Sequence, residues 1–265
     1  MELPVKDNSA GEDVIYGPHA VLEALRAGES LRQVLVAEGA ERGGARVRVL
    51  AAARRAGVPV KRVPAAVLDR AVAGQAGARH QGVAAYTTGY RYRDLNELLA
   101  RAVRRGEPPF LLALEAVQDV HNLGALLRTG EAVGVHGVLL PGRRAAGVTG
   151  AVRKASAGAV AHLAVARVDL PAALDALRGR SIALVGLDAA GTCRYDQADL
   201  SGPLALLVGG EERGLSVGVR RRCDLLVHLP MRGRVDSLNA AVAGSVALYE
   251  ALRQRSGRSA AAPEG

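Results

Sequence analysis

Three separated segments of the chain carry polar side chains where they can do chemistry. The first, Val117 to Thr129, holds Asp119, His121, Asn122 and Arg128 directly behind the apolar run Phe110 to Glu115. An amide and a guanidinium nearly two helical turns apart suit hydrogen bonding to a polar substrate and neutralisation of a phosphate or a developing oxyanion. On a helix, Asn122 reads as the N-cap, with Leu126 and Leu127 facing inward. A capping Asn and a solvated Arg would explain the same residues without function. The second segment, Leu207 to Leu215, is a buried strand that empties into Gly209-Gly210-Glu211-Glu212-Arg213-Gly214, a loop bearing two carboxylates. Ligands of parallel sheets sit beyond the carboxyl ends of strands, where this loop falls; a charged turn is the plain alternative. The third, Leu229-Pro230-Met231-Arg232-Gly233-Arg234-Val235-Asp236-Ser237-Leu238-Asn239, offers an apolar slot in Leu229 and Met231. It leads into a helix with Ser237 as N-cap and a stripe of Leu238, Ala241, Val242, Ser245, Leu248 and Leu252.

The usual phosphate-gripping loops are absent. No two glycines are separated by a single residue, which removes the G-x-G turn of dinucleotide-binding sheets and of the commonest methyltransferase class. Gly209 and Gly214 have P-loop spacing, but Leu215 stands where the phosphate-binding lysine belongs. A metal is not expected either: the six histidines show no ligand spacing, and Cys193 and Cys223 lie thirty positions apart, reading as ordinary thiols.

The elements that must position these segments are legible from periodicity. Residues 18–27, 45–56 and 64–73 read as helices, and 33–37, 58–63 and 82–87 as strands, which together describe a small α/β domain over 13–87. Thr88 to Arg93 is polar and without period, a linker. A second domain over 94–255 begins with a helix at 95–105 and continues with strands at 110–115, 137–140, 182–187, 204–208 and 225–229, separated by helices starting near Asn122, Pro171 and Leu238. Such alternation implies a parallel sheet covered on both faces. Residues 256–265 are small and polar, a disordered tail.

Composition bounds the class. At 265 residues with 49% hydrophobic and 23% charged, the chain is globular, of one or two domains. Its longest run without a charged residue, Ser237 to Tyr249, has thirteen residues and is too short to span a bilayer. The start Met1-Glu2-Leu3-Pro4 has no secretory character, so a cytoplasmic location is expected. Net charge is +9, and positive charge is denser in the first third: residues 13–86 hold eleven Lys/Arg against six Asp/Glu. That balance fits a nucleic-acid partner, and with aromatics at 3%, phosphate contacts rather than base stacking would dominate.

Taken together and in order, the three segments resemble the SpoU/TrmH-type RNA 2'-O-ribose methyltransferases, which carry N-x-x-x-x-x-R, G-x-E-x-x-G-L and L/I-P-M-x-G-x-x-x-S-L-N motifs. Tyr16-Gly17-Pro18-His19-Ala20-Val21 and Gly77-Ala78-Arg79-His80-Gln81-Gly82 resemble the signatures of the substrate-binding domain in the RlmB-type 23S rRNA guanosine enzymes. Pro109-Phe110-Leu111-Leu112 and Arg153-Lys154-Ala155-Ser156-Ala157-Gly158 extend the match to nearly the whole chain. Val120 and Ala240-Ala241 depart from the pattern, where Pro and Val-Ser are usual.

The resemblance implies a homodimer with a SPOUT catalytic domain, an α/β parallel sheet with a trefoil knot, preceded by a small α/β substrate-binding domain. It implies S-adenosylmethionine held by Gly209, Leu229, Met231 and Leu238, and a reaction centre of Asn122, Arg128, Glu211, Ser237 and Asn239, with Arg128 reaching toward the partner's cofactor. His19, Arg79, His80 and Arg128 would touch RNA. The expected substrate is a guanosine ribose in 23S rRNA or in a ribosome-assembly intermediate. A tRNA substrate, a non-catalytic ribosome-assembly factor on the same fold and a nucleotide-dependent metabolic enzyme are the rival readings.

Overall fold

A computed structural model describes residues 13–39, 44–75, 78–142, 145–211 and 213–260. In chain order its elements are β1 (Asp13–Tyr16), α1 (Pro18–Arg26), β2 (Leu31–Ala37), α2 (Gly44–Arg55), β3 (Val60–Val63), α3 (Ala65–Ala71), β4 (Val83–Thr87), α4 (Leu95–Arg105), β5 (Phe110–Glu115) and α5 (Val120–Ala132). There follow β6 (Gly137–Pro141), α6 (Gly150–Ala155), β7 (Val165–Val168), α7 (Leu170–Arg178), β8 (Ala183–Leu187), β9 (Cys193–Arg194), β10 (Leu204–Gly209), α8 (Val217–Arg220), β11 (Leu225–His228) and α9 (Ala240–Ala260). Two compact units divide the chain: residues up to Tyr90 together with Val148–Ala161, and Arg91–Gly147 together with His162 onward.

The first unit is a four-stranded sheet in the order β1-β4-β2-β3, with only the β2–β3 pair parallel. Alternation along the strands feeds two cores. Ile15, Val34, Val36, Val83 and Ala85 face α1 and α2, while Val14, Tyr16, Leu35, Val63 and Ala84 face Leu68 and Val72. Within this unit α6 lies so close to β1 that a Cβ on Gly150 would overlap the Val14 carbonyl.

The second unit is a seven-stranded, all-parallel sheet, β7-β6-β5-β10-β8-β11-β9. Its central strands are buried, β10 throughout and β5 up to its last residue, Glu115: they read FLLALE (β5) and LALLVG (β10) and pair with each other over their full length. Such runs form where helices cover both faces. From β5 the chain first builds outward through β6 and β7, then returns to build the other side through β8 and β10. The order therefore reverses between β5 and β10, the place where open parallel sheets bind ligands.

Several sequence expectations are corrected. The N-cap of α5 is Asp119, whose carboxylate accepts from the Asn122 N–H at 2.8 Å, so the cap lies three residues earlier than predicted and the Asn122 side chain is released for other bonds. The cap of α9 is Asn239 rather than Ser237: its Oδ1 accepts from the N–H groups of Ala241 and Val242 at 2.9 and 3.2 Å. The buried stripe of α9 runs through Ala241, Ala247, Leu248 and Ala251, whereas Leu238 and Val242 are exposed. The helix is turned this way because Gly244 packs against Leu126 and Val208 more closely than any side chain would allow. Helix α9 also continues to Ala260, through the first half of the predicted tail; residues 261–265 lie outside the described residues. The short strands β1, β7 and β9 and helices α6 and α8 were not expected from periodicity.

Candidate active site

Where β8, β10 and β11 end, their three following loops and the start of α9 surround a cleft of about 280 Å³. Leu187, Leu229, Met231 and Leu238 give it apolar walls, and Gly209 and Gly210 present backbone. Gly209 is a glycine of necessity, since a Cβ there would run into the backbone of Gly214 and Leu215. The loop folds back on itself through the Gly214 N–H, which donates to the Gly210 carbonyl at 2.9 Å, with Gly214 at a φ of 58°. Its far end is pinned to β5: the Glu115 carboxylate accepts from the Ser216 N–H at 2.8 Å and from the Ser216 hydroxyl at 2.7 Å. Ser216 in turn caps α8.

Asn239 joins the three segments. While its Oδ1 caps α9, its Nδ2 donates to Asn122 Oδ1 at 2.9 Å and to Glu211 Oε1. One amide thus ties the first turn of α5, the β10 loop and the start of α9 together at the cleft, and Glu211 and Ser237 are themselves part of its lining. All three side chains of this cluster are accessible enough to meet a substrate. The arrangement leaves Glu211 Oε2 without a hydrogen bond among the described residues, a carboxylate oxygen able to accept a proton from a hydroxyl.

The structure brings Gly209, Glu211, Leu229, Met231, Ser237 and Leu238 into the cleft and links Asn122 and Asn239 to it. Arg128 is separate. It is exposed on α5 and is not among the residues that line this cleft; its neighbour Thr129 shares a 2.9 Å hydroxyl hydrogen bond with Ser245 of α9. Glu212 lies outside the described residues. Sequence reasoning missed Asp188, Arg220 and Glu115; the signal for Asp188 was its place one residue past a buried parallel strand. Cys223 offers no reactive thiol to the cleft: burial pushes it up to about 11.

In the first unit, the segments around residues 17 and 79–81 meet at α6. A Cβ on Gly17, which has a φ of 91°, would stand 3.5 Å from Lys154 Nζ and 3.6 Å from Gln81 Oε1. The Lys154 ammonium donates to the Arg79 carbonyl and lies 5.0 Å from the Tyr16 ring; burial lowers its pKa. His19 and Arg79 are exposed. His80 accepts the Gly82 N–H on Nδ1 at 2.9 Å, so Nε2 carries the proton toward Asp69, 3.0 Å away. Gly77, also part of that signature, lies outside the described residues.

The sequence profile of the SpoU rRNA methylase family matches residues 109–249, which contain the whole cleft. The chain belongs to this family. A second profile, for RNA 2'-O ribose methyltransferase substrate binding, matches residues 14–93 of this SpoU family member. A relative from Bacillus subtilis, a putative TrmH family tRNA/rRNA methyltransferase, is 41% identical over 93% of this chain and 98% of its own. Among solved structures, the SpoU methyltransferase AviRb from Streptomyces viridochromogenes, in complex with AdoMet, is 29% identical with a TM-score of 0.76, covering 94% of this chain and 92% of its own. An AdoMet-bound rRNA methyltransferase from Sinorhizobium meliloti is 26% identical with a TM-score of 0.69, covering 91% and 87%. The parallel sheet and its preceding α/β unit are thus the SPOUT methyltransferase architecture.

Proposed function

We propose that this SpoU family protein is an S-adenosylmethionine-dependent RNA methyltransferase that methylates the ribose 2'-hydroxyl of a guanosine in 23S rRNA or an assembly intermediate, working as a homodimer in the cytoplasm. The observation that carries the reading is the Asn239 cluster at the mouth of the cleft, with Asn122 and Glu211 bonded to one amide. The cleft suits the cofactor chemically: apolar walls and free backbone for an adenine and its ribose, carboxylates of Glu211 and Asp236 for cationic groups, and no phosphate loop, which a ligand without phosphate does not need. When bound, S-adenosylmethionine supplies an electrophilic methyl group.

The side chains divide the remaining work. Attack by a hydroxyl on a methyl carbon demands near-linear alignment, so holding the ribose against the cluster supplies much of the rate. Glu211 Oε2 receives the hydroxyl proton, and the Asn239 amide keeps that carboxylate aimed. Arg128 is better suited to charge stabilisation than to proton removal, because arginine keeps its proton far above neutral pH. It holds the adjacent phosphate and the developing alkoxide.

Arg128's position outside its own cleft supports delivery to the partner's. Beside it, Val242, Val246 and Tyr249 of α9 lie 50%, 37% and 54% exposed at spacings of four and three, an apolar stripe of the kind a second copy covers. His19 and Arg79 of the first unit, with His80 set by Asp69, would contact the RNA. The test is to map ribose methylation in total RNA with and without the gene. Loss of one 2'-O-methylguanosine in 23S rRNA is the expected result; loss of a tRNA ribose methyl overturns the rRNA assignment, and no loss overturns the enzyme reading. Arg128→Lys separates the roles further: the expected outcome is a roughly 100-fold fall in kcat with cofactor affinity unchanged, whereas full activity removes any need for the guanidinium fork.

A further inference from the structure

We propose that Arg220, held in position by Asp188, anchors the carboxylate of the methyl donor's amino-acid tail, an inference that rests on the cofactor reading above. Asp188 directly follows β8 and faces the cleft with a side chain only 3% exposed. Its Oδ1 accepts the Ala190 N–H at 2.9 Å. Its Oδ2 lies 2.6 Å from Arg220 Nε, yet the two are not aligned for a hydrogen bond, and both atoms are buried without one. A buried charge is costly unless paired, so this ion pair holds the Nε edge of the Arg220 guanidinium against Asp188.

Arg220 is the only one of the cleft's two arginines that the described residues hold in place. It ends α8, whose cap Ser216 is fastened to Glu115 at the end of β5, and its side chain is 39% exposed at the cleft. With Nε turned to Asp188, its two Nη groups make no hydrogen bond among the described residues. A guanidinium fixed along one edge by a carboxylate and free along the other is preorganised for a planar anion. Arg213, the other cleft arginine, is exposed and has no ion pair among the described residues. A sulfonium nucleoside carries one anionic group, its α-carboxylate; its ammonium and sulfonium belong near Glu211 and Asp236. Arg220 is therefore a binding residue and Asp188 a positioning residue.

The experiment is calorimetric titration of the full chain, free of RNA, with three ligands: S-adenosylmethionine, its decarboxylated analogue and 5'-methylthioadenosine. The wild type should bind S-adenosylmethionine about 10- to 100-fold more tightly than the decarboxylated analogue. Arg220→Gln should erase that difference while leaving the decarboxylated analogue and 5'-methylthioadenosine at wild-type affinity, which also reports an intact cleft. Arg220→Lys should recover part of the preference. Asp188→Asn should reduce it, with 5'-methylthioadenosine again unchanged. The inference is overturned if Arg220→Gln preserves the preference or weakens all three ligands alike. A wild type that binds none of the three ligands would instead end the cofactor reading itself.

Discussion

Gly209→Ala is a one-methyl perturbation whose consequence can be worked from the backbone. The added Cβ would sit far closer than 3.0 Å to the Gly214 carbon and oxygen and the Leu215 nitrogen. These are main-chain atoms, so no side chain can rotate away. Restoring ordinary contact requires the Gly210–Gly214 turn to move by about 1 Å, and overpacking of this kind costs roughly 1–3 kcal/mol. β10 itself is buried between β5 and β8 over its whole length, so the turn yields rather than the strand. That turn carries Glu211, and with it one of the two acceptors of the Asn239 amide. Displacement by 1 Å at a reacting geometry is worth about 100-fold in rate. The expected result is a Tm lowered by only a few degrees together with cofactor affinity down at least about tenfold and kcat down about 100-fold. Gly202→Ala, where a Cβ meets nothing within 4 Å, is the matched control and should leave all three unchanged. Differential scanning calorimetry, calorimetric titration with S-adenosylmethionine and a methyl-transfer assay give the readings. Wild-type cofactor affinity in Gly209→Ala would refute the claim that the tight Gly209–Gly214 approach shapes the cleft.

The two jobs of Asn239 separate by substitution. Asn239→Ala should lose about 1 kcal/mol of stability through the missing cap as well as activity, whereas Asn239→Asp keeps the cap acceptor and should lose activity alone; equal stability losses in urea unfolding would contradict this. His136 is 1% exposed, with Nδ1 accepting the Phe110 N–H at 3.0 Å and Nε2 3.0 Å from Glu107; burial lowers its pKa, the Glu107 carboxylate opposing in part. The unfolded chain therefore takes up this proton first, so the contribution is complete above about pH 6.5 and is lost as pH falls from there through the lower folded value. His136→Gln should flatten the urea midpoint between pH 7 and 5 relative to wild type; parallel curves would remove His136 from the account. In the first unit, Arg153 is buried against Glu29, with a side chain 2% exposed and two of its nitrogens unbonded. Glu29→Gln should destabilise by about 3–5 kcal/mol in urea unfolding and Glu29→Gln with Arg153→Met by much less; equal losses would show that the unpaired charge is not the cause.

Periodicity was enough to find the long elements. β5 and β10 are recognisable as unbroken apolar runs because both faces are covered, and α4 is recognisable over 95–105 because Gly106-Glu107-Pro108-Pro109 stops it. The short strands β1, β7 and β9 escaped because two to four residues carry no period, and their strand character comes from a neighbour's hydrogen bonds. The α9 stripe was misread because its orientation depends on Gly244 fitting against Leu126 and Val208, a contact between residues far apart in the chain.

By itself the sequence determined the residue types of the site, their order and the absence of a phosphate loop, because motif spacing is a local property of the chain. It also carried the family, through three motifs whose side chains are all present. Only the tertiary structure decided that Asn239 rather than Ser237 caps α9, that one amide joins Asn122 to Glu211 across 117 and 28 positions of chain, and that Asp188 and Arg220 face the same cleft. Those facts depend on where parallel strands end relative to one another. Strand order and register are fixed by burial and by pairing between distant segments, and neither is written in any single stretch of residues.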